Sequence, residues 1–254
     1  MIKSILARAQ QGHRTAPYPK AAPTLPERFR GLPVISESLC AKDCELCGQH
    51  CPTDAITQSD SVPTIDMGRC LFCTECTRHC PTGAIEFTKE YRLSARTRSA
   101  LVVDAAYEHK CSALDQRMRS LFGRSLKLRQ VSAGGCNACE ADINVLGTLV
   151  FDLGRFGIQI VASPRHADGL IITGPVTENM RIALQKTYEA VAAPKLVIAV
   201  GACAISGGPY VEHAETHNGA GSQLPVDLYI PGCPPHPYTI LDGLLGLLGK
   251  LDSE

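Results

Sequence analysis

The sequence predicts an α/β protein of two domains, a small cysteine-rich α+β domain followed by a larger domain built on a parallel sheet. Three observations lead there. Between residues 126 and 230 five short β-prone runs alternate with helical stretches, the pattern of a parallel sheet covered on both faces. Between residues 40 and 85 two similar cysteine-bearing units occur instead, which suggests a duplicated half-domain. The 254 residues suffice for one large or two modest domains. The sequence divides into an arm (1–34), the duplicated domain (35–95), a connector (96–125) and the α/β domain (126–254).

Taken in order, the arm is basic, with Lys3, Arg8, Arg14, Lys20, Arg28 and Arg30 against Glu27, and it is proline-rich after Ala16. Ile2, Ile5, Leu6 and Ala9 fall on one face of a short helix over residues 2–9. A solvated tail and an arm that docks on a partner or an anionic membrane both fit. The two units run from Cys40 to Ile56 and from Cys70 to Ile85, ending Cys51-Pro-Thr-Asp-Ala-Ile and Cys80-Pro-Thr-Gly-Ala-Ile. The connector is partly helical from Leu114 to Leu121 and holds the isolated Cys111, read as an ordinary thiol. Strands are expected at Leu126–Val131, Ile158–Ala162, Leu170–Thr173, Leu196–Val200 and Val226–Ile230. Helices are expected at Glu140–Leu153, Glu178–Val191 and Pro237–Leu248, and Glu212–Gln223 reads as a surface loop.

Composition narrows the chemistry. Net charge is zero, which gives no sign of general nucleic-acid binding. The longest apolar run, Ile240 to Leu248, is broken by Asp242, Gly243 and Gly246 and is too short to span a bilayer. A secretory h-region and a twin-arginine leader are not found at the start, so a cytoplasmic location is expected. Thirteen cysteines in such a setting point to metal before disulfide. Twelve of them fall in tight groups or in loops rich in Gly and Pro.

The second unit reads Cys70-x2-Cys73-x2-Cys76-x3-Cys80-Pro, the spacing of bacterial two-cluster ferredoxins. Two-residue gaps let three thiolates converge on one cube, while the fourth cysteine lies beyond a bend and reaches the other cube. The wiring predicted is crossed: Cys70, Cys73 and Cys76 with Cys51, and Cys40, Cys44 and Cys47 with Cys80. The first unit opens with a three-residue gap, Ala41-Lys42-Asp43, which leaves open a three-iron cluster on Cys44, Cys47 and Cys80. A pair of four-thiolate zinc sites is the other alternative.

Cys136, Cys139, Cys203 and Cys233 are distant in sequence yet share a context. Each follows a predicted strand, within Gly134-Gly135-Cys136-Asn137-Ala138-Cys139-Glu140, Gly201-Ala202-Cys203 and Pro231-Gly232-Cys233-Pro234-Pro235. Parallel strands deliver their C-terminal loops to one edge, where ligands bind in open α/β folds, so these four thiolates can meet. Glu140, at a helix start, either relays protons or caps the helix. Arg165 and His166 either sit near the cluster or pair with Asp168 or a partner.

Residues 1–98 resemble the two-cluster ferredoxin subunit of formate hydrogenlyase and its relative in complex I. Tyr18-Pro19, Phe29-Arg30-Gly31 and Gly68-Arg69-Cys70 carry that likeness with the cysteines. Residues 126–250 resemble the small subunit of membrane-bound [NiFe] hydrogenases of the formate hydrogenlyase type, kin to the complex I 20 kDa subunit. The cysteine loops carry it, with Ser163-Pro164-Arg165-His166-Ala167-Asp168, Thr173-Gly174-Pro175-Val176-Thr177 and Val226-Asp227-Leu228-Tyr229-Ile230. Complex I has adjacent cysteines in the first loop, whereas Cys136-x2-Cys139 followed by Glu140 is the hydrogenase arrangement. The resemblance implies a 2[4Fe–4S] ferredoxin-like domain fused to a flavodoxin-like parallel-sheet domain, with three [4Fe–4S] clusters in all. It implies a non-catalytic electron-transfer subunit of an oxidoreductase. Electrons would pass between a formate-, CO- or ferredoxin-linked donor subunit and the Ni–Fe centre of a large subunit. The chain would lie peripherally on the inner face of the membrane through membrane subunits. The alternative is a nickel-free, quinone- or ion-pump-linked relative of complex I.

Overall fold

The computed structural model describes residues 2–12, 14–41, 43–58, 62–109 and 112–251; Cys111 lies outside them. Helix α1 (Ile2–Gln11) forms where the apolar stripe predicts it and buries no residue. Beyond it the arm lies along the C-terminal domain. The Thr15 hydroxyl donates to Leu149 O (3.0 Å) and Ala16 N to Val150 O (2.9 Å). Tyr18 is buried between Tyr91 and Tyr238, and its hydroxyl donates to Asp242 Oδ1 at 2.6 Å.

The N-terminal region shows its duplication in the backbone. Strands β1 (Pro33–Ile35) and β4 (Ile85–Phe87) pair antiparallel. Strands β2 (Ile56–Thr57) and β3 (Thr64–Asp66) pair likewise, and short helices α2 (Leu46–Gln49) and α3 (Glu75–His79) precede Cys51 and Cys80. The stretch expected as a connector does more than connect. Its Val102–Val103 is strand β5, paired with β3, and Leu101 and Val103 are buried in the same core as Ile65 and Met67. Helix α4 (Gln116–Phe122) is capped by Asp115, whose carboxylate accepts from Met118 N at 2.9 Å.

The C-terminal domain is a five-stranded parallel sheet of β6 (Leu126–Ser132), β7 (Ile158–Ile160), β8 (Gly169–Thr173), β9 (Leu196–Val200) and β10 (Leu228–Ile230). The spatial order is β7-β6-β8-β9-β10, which is the 2-1-3-4-5 order of doubly wound sheets. Central strands β8 and β9 are buried at every residue, as a sheet covered on both faces requires. Helices α5 (Ala138–Val145) and α8 (Pro237–Leu247) bury Ile143 and Leu241 against one face, with Leu128, Ile171 and Ile198. On the other face Leu184 of α6 (Glu178–Ala190) packs into a core that holds Leu170, Ile172 and Val197 and continues to Ile65 and Met67 of the N-terminal region. The two regions therefore share one apolar core. Ala95 and Tyr229 exchange both backbone hydrogen bonds, which covers the β10 edge. Arg98 grips Asp66 through two bonds of 2.6 and 2.5 Å.

Several predicted bounds differ: the strand expected over Ile158–Ala162 ends at Ile160 and that over Val226–Ile230 begins at Leu228. The helix expected over Glu140–Leu153 stops at Val145, where Gly147 N turns back to Asn144 O. Pro164–His166 is one 3-10 turn, with Arg165 and His166 exposed.

Candidate metal centres

The twelve described cysteines form three groups of four. In the first, Cys51, Cys70, Cys73 and Cys76 line one small pocket walled by Pro52, Ile56, Ile65, Leu71 and Phe87. Phe72 and Thr74, between the ligand positions, take left-handed backbone angles (φ 53 and 67). Residues with a Cβ adopt such angles at a cost and hold them where the surroundings fix them; here they turn successive thiols inward. Phe72 N donates to Cys70 Sγ at 3.3 Å and Ala55 N to Cys51 Sγ at 3.2 Å. Burial pushes the Cys76 thiol up to about 11 and Cys70 higher still, with the neighbouring Cys51 and Cys73 adding to both. Such thiols are inert when free. A cationic metal centre is what makes them thiolates.

In the second group, burial and then Cys80 and Cys44 raise the Cys40 thiol. Burial likewise raises Cys47, with Cys44 and Cys40 contributing. So Cys40 stands with its expected companions despite its three-residue gap. Burial also acts on Cys80, but the Thr82 hydroxyl and the Ala84, Thr82 and Ile85 amides outweigh it and hold this thiol below the ordinary value. The two crossing cysteines are equivalent: Ala84 N donates to Cys80 Sγ at 3.2 Å, as Ala55 N does to Cys51. His50 and His79, each one residue before a crossing cysteine, stack with ring centroids 3.7 Å apart.

The third group gathers at the C-terminal edge of the parallel sheet. Cys136 and Cys139 follow β6, Cys203 lies in α7 (Ala202–Ser206) after β9, and Cys233 follows β10. Burial, then Cys203, Glu140, Cys233 and Cys136, push the Cys139 thiol up. Burial, then Cys233 and Cys136, raise Cys203 to about 11. Gly201 has φ +88, and a Cβ there would stand 2.5 Å from Cys139 Sγ. The loop thus approaches the sulfurs only because it lacks a side chain. Cys136 and Cys233 are exposed. Burial, then Cys136 and Cys73, raise Cys233, so the first and third groups are electrostatic neighbours.

Among the described residues no three His, Cys, Asp or Glu side chains converge on one point as a single ion demands. Four thiolates on zinc would all lie about 2.3 Å from it, whereas a cube takes one thiolate on each iron corner. The donor set fits cubes.

Glu140 lies at the helix start, as expected, and is also tied to the sheet. It is buried in the first turn of α5, and its Oε1 accepts from Ser132 Oγ (2.5 Å) and Thr173 Oγ1 (2.6 Å), at the ends of β6 and β8. That is the switch point of the strand order, since β7 lies beyond β6 on one side and β9 beyond β8 on the other. Arg165 and His166 are not near the third group. Their turn leads into Gly169, which pairs with Leu128 and Leu196, near the opposite end of the sheet from Ser132 and Val200. Asp168 accepts from Lys127 N at 2.7 Å. Sequence reasoning missed the amide donors to sulfur and the Asp66–Arg98 clamp. The alanine four residues after each crossing cysteine, present in both units, is the signal that could have shown the former.

A parallel sheet with thiols gathered at its C-terminal edge, joined through one core to two further thiol groups, defines an iron–sulfur electron-transfer protein. Residues 136–247 match the family described as NADH ubiquinone oxidoreductase, 20 Kd subunit, and residues 63–86 match the 4Fe-4S binding domain. The probable membrane-bound hydrogenase subunit mbhJ of Pyrococcus furiosus is 41% identical, over 54% of this chain and 84% of that one. Formate hydrogenlyase subunit 7 of Escherichia coli is 36% identical over 64% of each chain. An NADH-quinone oxidoreductase subunit of Carboxydothermus hydrogenoformans is 44% identical over 47% of this chain and 72% of that one. The chain belongs to the 20 kDa subunit family of NADH ubiquinone oxidoreductase and carries 4Fe–4S binding sequence; it is an iron–sulfur electron-transfer subunit of the kind found in complex I and membrane-bound hydrogenases.

Proposed function

We propose that the chain holds three [4Fe–4S] clusters and relays electrons between a donor subunit and the Ni–Fe centre of a separate large subunit, for proton reduction or H2 oxidation. The observation that carries this is the gathering of twelve cysteines into three groups of four, with Cys73 of the first beside Cys233 of the third. The cluster assignments are those the grouping supports: Cys51, Cys70, Cys73 and Cys76; Cys40, Cys44, Cys47 and Cys80; Cys136, Cys139, Cys203 and Cys233. The clusters supply single-electron transfer, and each would have its irons filled by protein thiolates, so this chain binds no substrate at them. The chain's own residues supply the rest. Amides of Phe72, Ala55 and Ala84 point at sulfur, which favours the reduced form. Glu140 is the candidate proton relay. In this reading two polypeptides that are usually separate are fused, which fixes their ratio. Membrane subunits of the complex would hold the chain at the inner face of the membrane; among the described residues no helix is long and apolar enough to cross it.

Anaerobically reconstituted chain should contain about twelve irons, no nickel, and evolve no hydrogen from reduced viologen until the large subunit is added. About eleven irons with a three-iron signal would remove Cys40 from the ligand set. Zinc in place of iron, or nickel-dependent activity of the chain alone, would overturn the proposal. The similarity to the NADH-quinone oxidoreductase subunit favours one second reading, wiring of a nickel-free complex I-like enzyme. Nickel analysis of the co-purified complex separates the two.

A further inference from the structure

The Phe29-Arg30-Gly31 segment lies ahead of the first cysteine, and the cluster assignments leave it without a task. We propose that it is a bracket across the junction of the first and third cysteine groups. Within it Arg30 is a positioning residue: it braces the loop from Cys70 to Cys76, and its charge raises the potential of the cluster held there. The inference rests on the three-cluster reading and concerns a residue outside the ligand set. The base of the bracket is fixed. Gly31 N donates to Thr88 O at 2.8 Å and Leu32 N to Glu90 O at 2.9 Å, while Thr88 N returns a bond to Leu32 O. A Cβ on Gly31 would stand 1.9 Å from Glu90 O, so only glycine allows this approach. Lys89 Nζ adds bonds to the carbonyls of Pro26, Glu27 and Phe29.

From this base two side chains reach the two halves of the molecule. The Phe29 ring meets His236 edge-on, with centroids 5.4 Å apart, and His236 follows Cys233 by three residues. Arg30 Nη1 donates to Phe72 O at 2.9 Å. Phe72 is the left-handed residue between Cys70 and Cys73, and its own N–H donates to Cys70 Sγ. The guanidinium thus holds in place a residue whose backbone orients two ligand cysteines, as groups behind a ligand shell do. Phe29, Arg30, Cys73 and Cys233 line one pocket, so the bracket spans the place where the first and third groups meet. A cluster gains one negative charge on reduction, and a cation nearby stabilises that form. Asp142 lines the same pocket, but so does Arg28, so cations outnumber carboxylates there. An arginine keeps its charge throughout the working pH range, so the bias it gives is constant: electrons at the junction are drawn towards the first cluster.

The test uses the full chain with its clusters reconstituted, in redox titrations followed by EPR. The signal of interest is the one that Cys51→Ser removes. Arg30→Gln keeps a donor for Phe72 O and removes the charge. It should hold the parent's iron and make the cluster of Cys51, Cys70, Cys73 and Cys76 about fivefold harder to reduce, which is about 40 mV for one electron. Arg30→Lys keeps the charge and should stay within about twofold of the parent. Arg28→Gln removes an equal charge from the same pocket without touching the Phe72 bond, and it should shift the potential less. The cluster of Cys40, Cys44, Cys47 and Cys80 should not move in any of them. Parent potentials in Arg30→Gln overturn the inference. So does an equal shift in Arg30→Lys and Arg30→Gln, or loss of iron from Arg30→Gln, either of which makes Arg30 a structural brace alone. A parent chain that binds no iron at Cys51, Cys70, Cys73 and Cys76 refutes the cluster reading itself, and this inference with it.

Discussion

The site of Cys51, Cys70, Cys73 and Cys76 and the site of Cys136, Cys139, Cys203 and Cys233 each offer four thiols, but they are closed in different ways. The first is walled by the chain itself, with Cys70 and Cys76 only 7% and 8% exposed. The second is assembled from three loops at a sheet edge and leaves Cys136 and Cys233 open. On the proposed reading the more enclosed site would serve transfer within the chain; its Cys51 and Cys73 are partly covered. An open one at the rim of a sheet has room for a partner's surface. Cys73 is an electrostatic neighbour of Cys233, so on the proposed reading the enclosed site would be wired to the open one.

The sharpest way to break this comparison is to remove a thiol from each site. Cys233→Ala should lose about four irons and leave the spectra of the N-terminal pair intact. Cys70→Ala should lose a similar number and also loosen the N-terminal region, whose core includes that residue. Cys51→Ser should damage the cluster of Cys70, Cys73 and Cys76, not that of its own loop. Iron analysis with EPR of each variant decides; loss of a cluster from the other fold in either alanine variant would mean that the sites are not independent.

Glycines give the next contrast. Gly201→Val should abolish the C-terminal cluster, because its Cβ would stand 2.5 Å from Cys139 Sγ. Gly83, also left-handed at φ +68, has nothing within 4 Å of an added Cβ. Its counterpart in the first unit is Asp54 at φ 48. Gly83→Asp should therefore cost only about 1 kcal/mol of backbone strain and keep all iron. Equal iron loss in the two variants would show that the open site does not depend on close backbone approach.

Glu140→Gln probes the open site without touching a ligand. Gln keeps an acceptor for Ser132 and Thr173 but cannot carry a proton. In the complete complex, turnover should fall about tenfold while the neighbouring cluster still reduces. Thermal stability should change by no more than about 1 kcal/mol. Normal turnover with a larger stability loss would make Glu140 a structural residue tying α5 to the strand ends.

Strands and cysteine groups were legible because each leaves a local mark. Continuous apolar runs such as Leu196–Val200 become a fully buried strand, and the repeated Cys-Pro-Thr becomes a repeated N–H···S bond. What was not legible depends on residues far apart in the chain. Val102–Val103 has no strand signature beyond two β-branched residues, and its pairing with β3 is specified by a shared core with Ile65. Arg165 and His166 look like cluster neighbours in the sequence, since they follow a strand. But β7 is only three residues long and pairs with the first half of β6, so the loop after it never reaches the cluster edge. The place of Glu140 at a helix start was legible, but the two hydroxyls at the ends of β6 and β8 that also hold its carboxylate were not.

An effect on stability alone tests whether the arm belongs to the α/β domain or merely trails from it. Tyr18→Phe keeps the ring between Tyr91 and Tyr238 and removes the hydroxyl that donates to Asp242 and also bonds Tyr91. Burial raises the Asp242 carboxyl above its ordinary range, while the Tyr18 hydroxyl, His109 and Arg92 pull it back towards the carboxylate. A carboxyl whose folded value is raised favours the folded state fully below its unfolded value of about 4, and that contribution is lost as pH rises through the folded value. Without Tyr18 the folded value rises further, so more is lost at neutral pH. Tyr18→Phe should therefore destabilise the protein by about 1–3 kcal/mol at pH 7 and by less at acid pH, where more of Asp242 is protonated and less charge needs a donor. Thermal unfolding at the two pH values measures the difference. A loss independent of pH would mean that Tyr18 contributes by packing alone. No loss at either pH would mean that the arm is not part of the folded unit at all.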